Sequence, residues 1–175
     1  MLSDRRFPIA ALVCSAGALW AGAAVQAQAP AAAADRDAQM LQKGEQLSNE
    51  GKHAEAAANY EALVKQFPTS GLVPEANFRA GYAYYNAGNY DAAVAAFKKV
   101  LDDKKAAPEF LELALSLTPQ VLAAKAGKLP ANDPNRKTAL EEAVKQFDVY
   151  LAKYPASEEV ESANYSKALA LYQLG

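Results

Sequence analysis

The residues that could do chemistry in this 175-residue chain are few, and their spacing does not assemble a catalytic site. His53 is the only histidine and Cys14 the only cysteine, so a Ser-His-Asp or Cys-His arrangement has a single imidazole available. The carboxylate pairs Asp102-Asp103 and Glu141-Glu142 are typical of solvated helix faces, and no Gly-rich phosphate loop is present. The sequence therefore predicts no catalytic residue, no cofactor and no metal site.

Aromatic side chains form the one candidate binding surface. Its members are Phe78, Tyr82, Tyr85, Asn86, Tyr165, Leu169 and Tyr172. The first three rings recur at i, i+4 and i+7, which puts them on one face of a helix, and the last three residues repeat that spacing 87 positions later. Such a strip of rings with hydroxyl tips suits an extended peptide. The alternative is that the rings pack against the next helix.

Two amphipathic helices are predicted over residues 74–101, joined by the turn Asn86–Asn89. Gly88 can end the first helix in the left-handed conformation that glycine adopts at little cost. The small residues Gly81 and Ala93 are set against large ones such as Phe97, which predicts a close approach of the two helices. One such pair buries too little apolar surface to be stable alone, so neighbouring pairs are expected.

The neighbouring pairs are visible as internal repeats. Upstream by 37 residues from Gly81, Gly88, Ala93, Phe97 and Val100 stand Gly44, Gly51, Ala56, Tyr60 and Leu63. Downstream by 87 residues from Ala56, Tyr60, Pro68, Ala76, Asn77, Phe78 and Gly88 stand Ala143, Phe147, Pro155, Ala163, Asn164, Tyr165 and Gly175. Thirteen residues more than the 37-residue spacing separate Ala93 from Ala143, so the period breaks over residues 102–138 and then resumes.

This pattern resembles the tetratricopeptide repeat, which has a small residue and Gly on the first helix, Ala-x3-aromatic on the second, and then Pro. The resemblance covers residues 37–101 and 139–175 and implies an all-α solenoid of stacked antiparallel helix pairs. The phrases Phe67-Pro68-Thr69-Ser70 and Tyr154-Pro155-Ala156-Ser157 look most like repeats of bacterial cell-envelope proteins of the outer-membrane assembly and Tol–Pal-associated families. The chain departs from the family pattern at the position where the family has Trp: the three repeats have Met40, Asn77 and Asn164 there.

In the family that this chain resembles, the first helix of each pair lines a groove that holds peptides, and the aromatic positions above match the groove-lining slots. The resemblance therefore implies a protein or peptide partner. A variant of the repeat that grips a C-terminal carboxylate uses Lys and Asn in the first unit, where this chain has Leu41 and Glu45. That ligand is disfavoured. The formal net charge of −2 carries no basic surplus and disfavours nucleic acid as well.

The first 27 residues are predicted to be a secretory signal peptide. Arg5 and Arg6 supply the positive end, residues 8–25 are uncharged and mostly apolar, and Val25-Gln26-Ala27 places small residues for cleavage before Gln28. The alternative is an uncleaved anchor at 8–25 in the inner membrane. Residues 28–36 are predicted to be a disordered Ala/Pro-rich tether.

The repeat domain is predicted to span residues 37–175, in units of about 37–70, 74–103, 108–155 (irregular) and 157–175 (incomplete). Thr118-Pro119 is expected to kink or restart the helix that begins at Pro108. The last two helices are expected to begin at two N-caps. The first is Asp133, with Pro134 as the first helical residue, and the second is Ser157, followed by Glu158 and Glu159.

The sequence as a whole favours an exported, non-catalytic adaptor or scaffold that binds protein partners in the bacterial cell envelope, in the periplasm. Gly175 is equivalent to Gly88, so the last unit is expected to continue in a longer chain or to pair with something absent. Two alternatives stay open: the repeat region of a larger periplasmic enzyme whose catalytic part lies beyond Gly175, and a structural spacer. The sequence does not define an oligomeric state.

Overall fold

Seven α-helices follow one another in the part of the chain that the computed structural model describes, residues 36–175. They are α1 (36–49), α2 (His53–Gln66), α3 (Val73–Asn86), α4 (Tyr90–Asp102), α5 (Pro108–Lys128), α6 (Pro134–Lys153) and α7 (Val160–Leu174). No strand lies within residues 36–175, so the all-α prediction is confirmed for them. The predicted signal peptide and most of the tether lie outside the described residues.

Consecutive helices pack against one another from α2 to α7, and the alternate helices α3, α5 and α7 also touch. The Asn59 amide on α2 donates to the Met40 carbonyl on α1 over 2.6 Å, which ties the first helix to the second. Short connections between neighbouring helices make each pair antiparallel. The result is a row of helix pairs, as a tetratricopeptide-like solenoid requires, with α1, α3, α5 and α7 side by side.

Two glycines in left-handed conformation turn the chain between paired helices. Gly51 has φ 75° and Gly88 has φ 77°, at positions 37 residues apart. Asn89 then caps α4, because its side-chain oxygen accepts from the Ala92 N–H at 3.3 Å. The turn predicted at Asn86–Asn89 is confirmed.

The connections from α2 to α3 and from α6 to α7 are copies of each other. Phe67 and Tyr154 have the same backbone angles, φ −126° and ψ 59°. Three residues later, the Oγ of Ser70 accepts from the Leu72 N–H at 3.0 Å, and the Oγ of Ser157 accepts from the Glu159 N–H at 3.3 Å. Residues that repeat at an offset of 87 in the sequence therefore also share the same backbone geometry.

The period break is an elongation of the third pair. α5 and α6 have 21 and 20 residues, against 14 and 13 in α3 and α4. α6 begins nine residues before Ala143, whereas α4 begins three residues before the equivalent Ala93. The additional residues thus extend the tip of the α5–α6 hairpin, by about two turns or roughly 10 Å.

Of the kink or restart expected at Thr118-Pro119, the restart does not occur, and the start of α7 predicted at Ser157 is wrong. α5 does not restart at Thr118-Pro119, because Pro119 is fully buried inside one continuous helix, and the Thr118 hydroxyl donates to the Ala114 carbonyl over 2.6 Å. Ser157 does not cap α7, because the helix begins at Val160 with Glu159 as its N-cap residue. The Ser157 hydroxyl oxygen accepts from the Tyr150 hydroxyl at 2.8 Å within the connection. The cap at Asp133 is confirmed, since its carboxylate accepts from the Asn135 N–H at 2.8 Å.

The interior consists of alanines that surround a few large side chains. The largest buried residues are Tyr60, Tyr150, Phe97 and Phe147, one or two from each of α2, α4 and α6. The alanine that precedes each repeat aromatic by four residues is fully buried in all three helices: Ala56, Ala93 and Ala143. Small residues let the helices approach, and the rings fill the space between them.

Candidate binding groove

Two adjoining cavities lie across α1, α3, α5 and the start of α7, and we call them together the groove. Both are lined by Phe78 and Tyr82 of α3. Tyr82 is 49% exposed although it follows the buried Gly81 in the chain. It therefore stands at the junction of the two cavities with much of its ring available to a ligand.

The first cavity has a volume of about 420 Å³ and lies between α1 and α3. Its lining residues are Glu45, Ser48, Asn49, Tyr60, Phe78, Arg79 and Tyr82. Burial raises the pKa of the Tyr60 hydroxyl, so this group stays protonated and can donate or accept a hydrogen bond at neutral pH. This part of the groove combines ring faces with hydroxyl and amide groups.

Arg79 joins α1 to α3 at the wall of the first cavity. Its Nη2 lies 2.8 Å from Glu45 Oε1 on α1 and 2.7 Å from Glu75 Oε1 on its own helix. Burial lowers the pKa of Arg79, but the hydrogen bond and charge of Glu75, together with the charge of Glu45, outweigh it and raise the pKa. The guanidinium is therefore already matched by two carboxylates, and the wall offers an incoming carboxylate no unneutralised cation.

The second cavity has a volume of about 360 Å³ and lies between α3, α5 and the start of α7. Its lining residues are Phe78, Tyr82, Leu113, Ser116, Leu117, Gln120, Glu159 and Ser162. Leu113 is 41% exposed. Rings and leucines form an apolar floor, and the hydroxyl, amide and carboxylate groups stand around it, which is the usual composition of a binding site.

The structure divides the predicted aromatic strip. Phe78 packs inward, with ring centroids 5.7 Å from Phe97 and 5.6 Å from Phe110, and keeps one edge on both cavities. Tyr85 packs against Tyr90 at 6.1 Å and lines neither cavity. The alternative interpretation, that rings of this strip pack against the next helix, thus applies to Phe78 and Tyr85, while Tyr82 faces the groove.

The other predicted site residues are not brought into the groove. Asn86 is exposed at the turn, in a separate depression beside His53 and Ala87. Tyr165, Leu169 and Tyr172 lie on α7 and line neither cavity. They are exposed on the surface of α7.

Several groove residues were missed by sequence reasoning. Leu113 of α5 was not predicted as a site residue, and it is exposed in the groove, whereas Val121 on the same helix is fully buried. Nothing in the sequence around Ser116, Gln120 or Arg79 indicated that these residues line a groove. A usable signal was the spacing of Leu113, Ser116, Leu117 and Gln120 at i, i+3, i+4 and i+7, which puts all four on one face of α5.

No group of three or more His, Cys, Asp or Glu side chains suited to a metal ion occurs among residues 36–175. His53 is the first residue of α2, and its Nδ1 is buried without a hydrogen-bond partner in the described part of the chain. None of the helices that the structure describes is long and apolar enough to cross a membrane.

These features define a class: a helical-repeat protein whose alternate helices line a groove. Residues 41–109 match the family described as Tetratricopeptide repeat. The match covers most of α1 through α4 and the first residues of α5, and it supports the tetratricopeptide repeat family for this chain. Repeats of this family generally mediate protein–protein interaction and are typically non-catalytic. No curated protein matches the chain.

Proposed function

We propose that this protein is an adaptor or scaffold that holds a segment of a protein partner in the groove, in the bacterial cell envelope. The match to a protein-interaction repeat supports the adaptor class. The observation that carries the proposal for the groove is the half-exposed ring of Tyr82, set between two cavities that extend across α1, α3, α5 and the start of α7.

The groove fits an apolar anchor of a peptide. An apolar side chain seated between Tyr82 and Leu113 would cover surface that is 49% and 41% exposed, on a floor already fixed by Phe78. Buried aromatic anchors dominate interface energies, and truncation of one typically costs about 2 kcal/mol or more. The hydroxyl and amide groups of Ser48, Asn49 and Gln120 can bond to the peptide backbone.

The charges around the groove favour an internal segment over a free C-terminus. A terminal carboxylate needs an unneutralised cation, and Arg79 is bound on both sides by Glu45 and Glu75. Glu159 adds a further negative charge at the other cavity. A peptide whose C-terminus lies outside the groove avoids repulsion from these carboxylates.

The test is to find the partner through the groove and then to measure its affinity. A photo-crosslinking amino acid at Tyr82, introduced in the native cell, should capture a discrete partner. The same group at Val149 on α6 is the matched control, since that side chain is 45% exposed and lines neither cavity.

With the captured partner purified, Tyr82→Ala should weaken binding at least tenfold while helicity by circular dichroism stays near that of the wild type. Val149→Ala should leave the affinity unchanged. Equal crosslinking from both positions, or unchanged affinity in Tyr82→Ala, would remove the groove as the binding site.

The envelope location rests on the N-terminal sequence and on the resemblance at Phe67–Ser70 and Tyr154–Ser157. Arg5 and Arg6 before an apolar run, with small residues at 25 and 27, are typical of a secretory signal. N-terminal sequencing of the protein from a periplasmic fraction should begin at or near Gln28. Recovery of intact Met1 from the membrane fraction would favour the anchored alternative at 8–25, and recovery from the cytoplasm would contradict export.

A further inference from the structure

The second cavity of the groove contains a carboxylate that is not matched by a cation in the described part of the chain. Among the described residues that line this cavity, Glu159 carries the only charge. Glu159 is the N-cap residue of α7, but its side chain makes no capping hydrogen bond. None of the ion pairs between described residues includes it, and the residue is exposed. Its carboxylate is therefore available to a group that enters the cavity from outside.

Negative charge is also in excess at the first cavity. Among the described residues that line it, Arg79 is the only cation, and its guanidinium contacts both Glu45 and Glu75. One positive charge cannot balance two carboxylates. The half-exposed apolar surface of Tyr82 and Leu113 therefore has an excess of negative charge on both sides, and its complement is a positive charge next to an apolar group.

We propose, on the basis of the function proposed above, that the segment held in the groove carries a Lys or Arg close to its apolar anchor, and that Glu159 binds this cation. Tyr82, Leu113 and Glu159 line the same cavity of about 360 Å³, so the anchor and the cation enter it together. The aliphatic stem of a Lys or Arg can lie on the apolar floor at Leu117 while its charged end reaches the carboxylate.

Desolvation gives Glu159 its part in selecting the partner. An apolar segment that covers the second cavity removes water from the carboxylate, which costs free energy unless a cation replaces that water. A segment with Lys or Arg at this point supplies the cation, and the half-exposed ring of Tyr82 offers it a further favourable contact. A segment with Asp or Glu there is repelled. Glu159 thus discriminates among segments that carry the same apolar anchor.

The first test is selection of random peptides, displayed on phage, on the chain purified from its native cell. Selection on Tyr82→Ala in parallel identifies the peptides that bind elsewhere, and these are discarded. The remaining peptides should carry an apolar residue with a Lys or Arg within about three positions of it, a span of roughly 10 Å in an extended chain.

The second test measures the affinity of one such peptide, acetylated at its N-terminus and amidated at its C-terminus so that side chains supply all of its charge. Glu159→Gln should weaken binding about two- to fivefold, as expected for an exposed ion pair. Glu158→Gln is the matched control, since this neighbouring acid is exposed and lines neither cavity, and it should have a smaller effect. In about 0.5 M salt the loss in Glu159→Gln should disappear, because salt screens the charges, while the loss in Tyr82→Ala should persist.

An exchange of charges completes the test. The peptide with its Lys or Arg replaced by Glu should bind Glu159→Lys more tightly than it binds the wild type. Equal losses in Glu158→Gln and Glu159→Gln would overturn the contact at Glu159. Peptides that depend on Tyr82 but lack Lys and Arg, or that are indifferent to Glu159→Gln, would overturn it too and leave the groove as the binding site. If no peptide depended on Tyr82, both the groove and the cation contact would be overturned.

Discussion

Gly81 and Phe97 lie so close together that a β-carbon built on Gly81 would stand 2.7 Å from two carbons of the Phe97 ring. A β-carbon on Gly44 would likewise overlap the ring of Tyr60, 37 residues earlier. In both pairs a glycine on one helix faces a buried ring on the next. The absence of a side chain at the glycine is what sets the distance between α3 and α4, and between α1 and α2.

Gly81→Ala should lower the free energy of unfolding by about 1–3 kcal/mol, because the added methyl group overpacks a fully buried ring. The change can be measured by thermal and urea unfolding. Gly127→Ala in α5 is the matched control, since a β-carbon there meets nothing within 4 Å, and it should leave stability unchanged or slightly higher.

The contact itself can be isolated with Phe97→Leu. A smaller side chain leaves room for the methyl group, so Gly81→Ala should cost less in the Phe97→Leu background than in the wild type. An equal cost in both backgrounds would show that the glycine is needed for a reason other than this ring.

Ala93→Leu should also destabilise the protein by about 1–3 kcal/mol, because Ala93 is fully buried among the side chains of α4 and its neighbours. Ala95→Leu, two residues on and exposed, should change stability by no more than about 0.5 kcal/mol. Denaturant midpoints of the two variants give the comparison. Similar midpoints would contradict the inward orientation of Ala93.

Gly88→Ala should cost about 1–2 kcal/mol, since its φ of 77° is a left-handed conformation that an L-residue adopts with strain. Gly71→Ala is the control, since Gly71 has no positive φ and a β-carbon there meets nothing within 4 Å. It should leave the free energy of unfolding nearly unchanged. Unfolding midpoints of the two variants give the comparison, and the midpoint of Gly88→Ala should be the lower. A neutral Gly88→Ala would mean that the α3–α4 turn relaxes at little cost.

Tyr60 should make the protein sensitive to alkaline pH. Burial raises the pKa of its hydroxyl above the ordinary value of about 10. The unfolded state therefore loses its proton first, so the stability contributed by Tyr60 is complete below about pH 10 and falls as pH rises through the folded-state pKa.

Unfolding followed by urea between pH 8 and 11 should show a shallower loss of stability in Tyr60→Phe than in the wild type. Tyr172→Phe, at a position that is 84% exposed, should keep the wild-type slope. If Tyr60→Phe left the alkaline slope as steep as before, deprotonation of Tyr60 would not be its source.

Local features of this fold follow from the sequence because the sequence repeats them. Gly51 and Gly88 and the alanine before each repeat aromatic depend on neighbours within a few residues, and their periodic spacing reveals them. The cap at Asp133 lies outside the period and was predicted from the adjacent Pro134.

The starts of α5 at Pro108 and of α6 at Pro134 were predicted from these prolines and are confirmed. Thr118-Pro119 was expected to kink or restart α5, but α5 does not restart there, and Pro119 is buried within it.

The groove was harder to predict for a similar reason. Spacing put Phe78, Tyr82 and Tyr85 on one helix, but their exposure depends on Phe97, Phe110 and Tyr90, which belong to other helices. Only a three-dimensional arrangement separates a ring that fills the interior from one that stands in a cavity. The same dependence hid Leu113 and Arg79, whose positions become informative once α1, α3 and α5 are side by side.

The shared geometry at Phe67 and Tyr154 bears on how a gene for such a chain can change length. An in-frame deletion that fused Phe67 to Pro155 would remove 87 residues, the whole of α3 to α6, and would still lead α2 into α7 through a corner with the same backbone angles. A tandem duplication between the same two breakpoints would insert two helix pairs through that corner. A deletion or a duplication at this corner would therefore shorten or lengthen the array by whole helix pairs without a new connection.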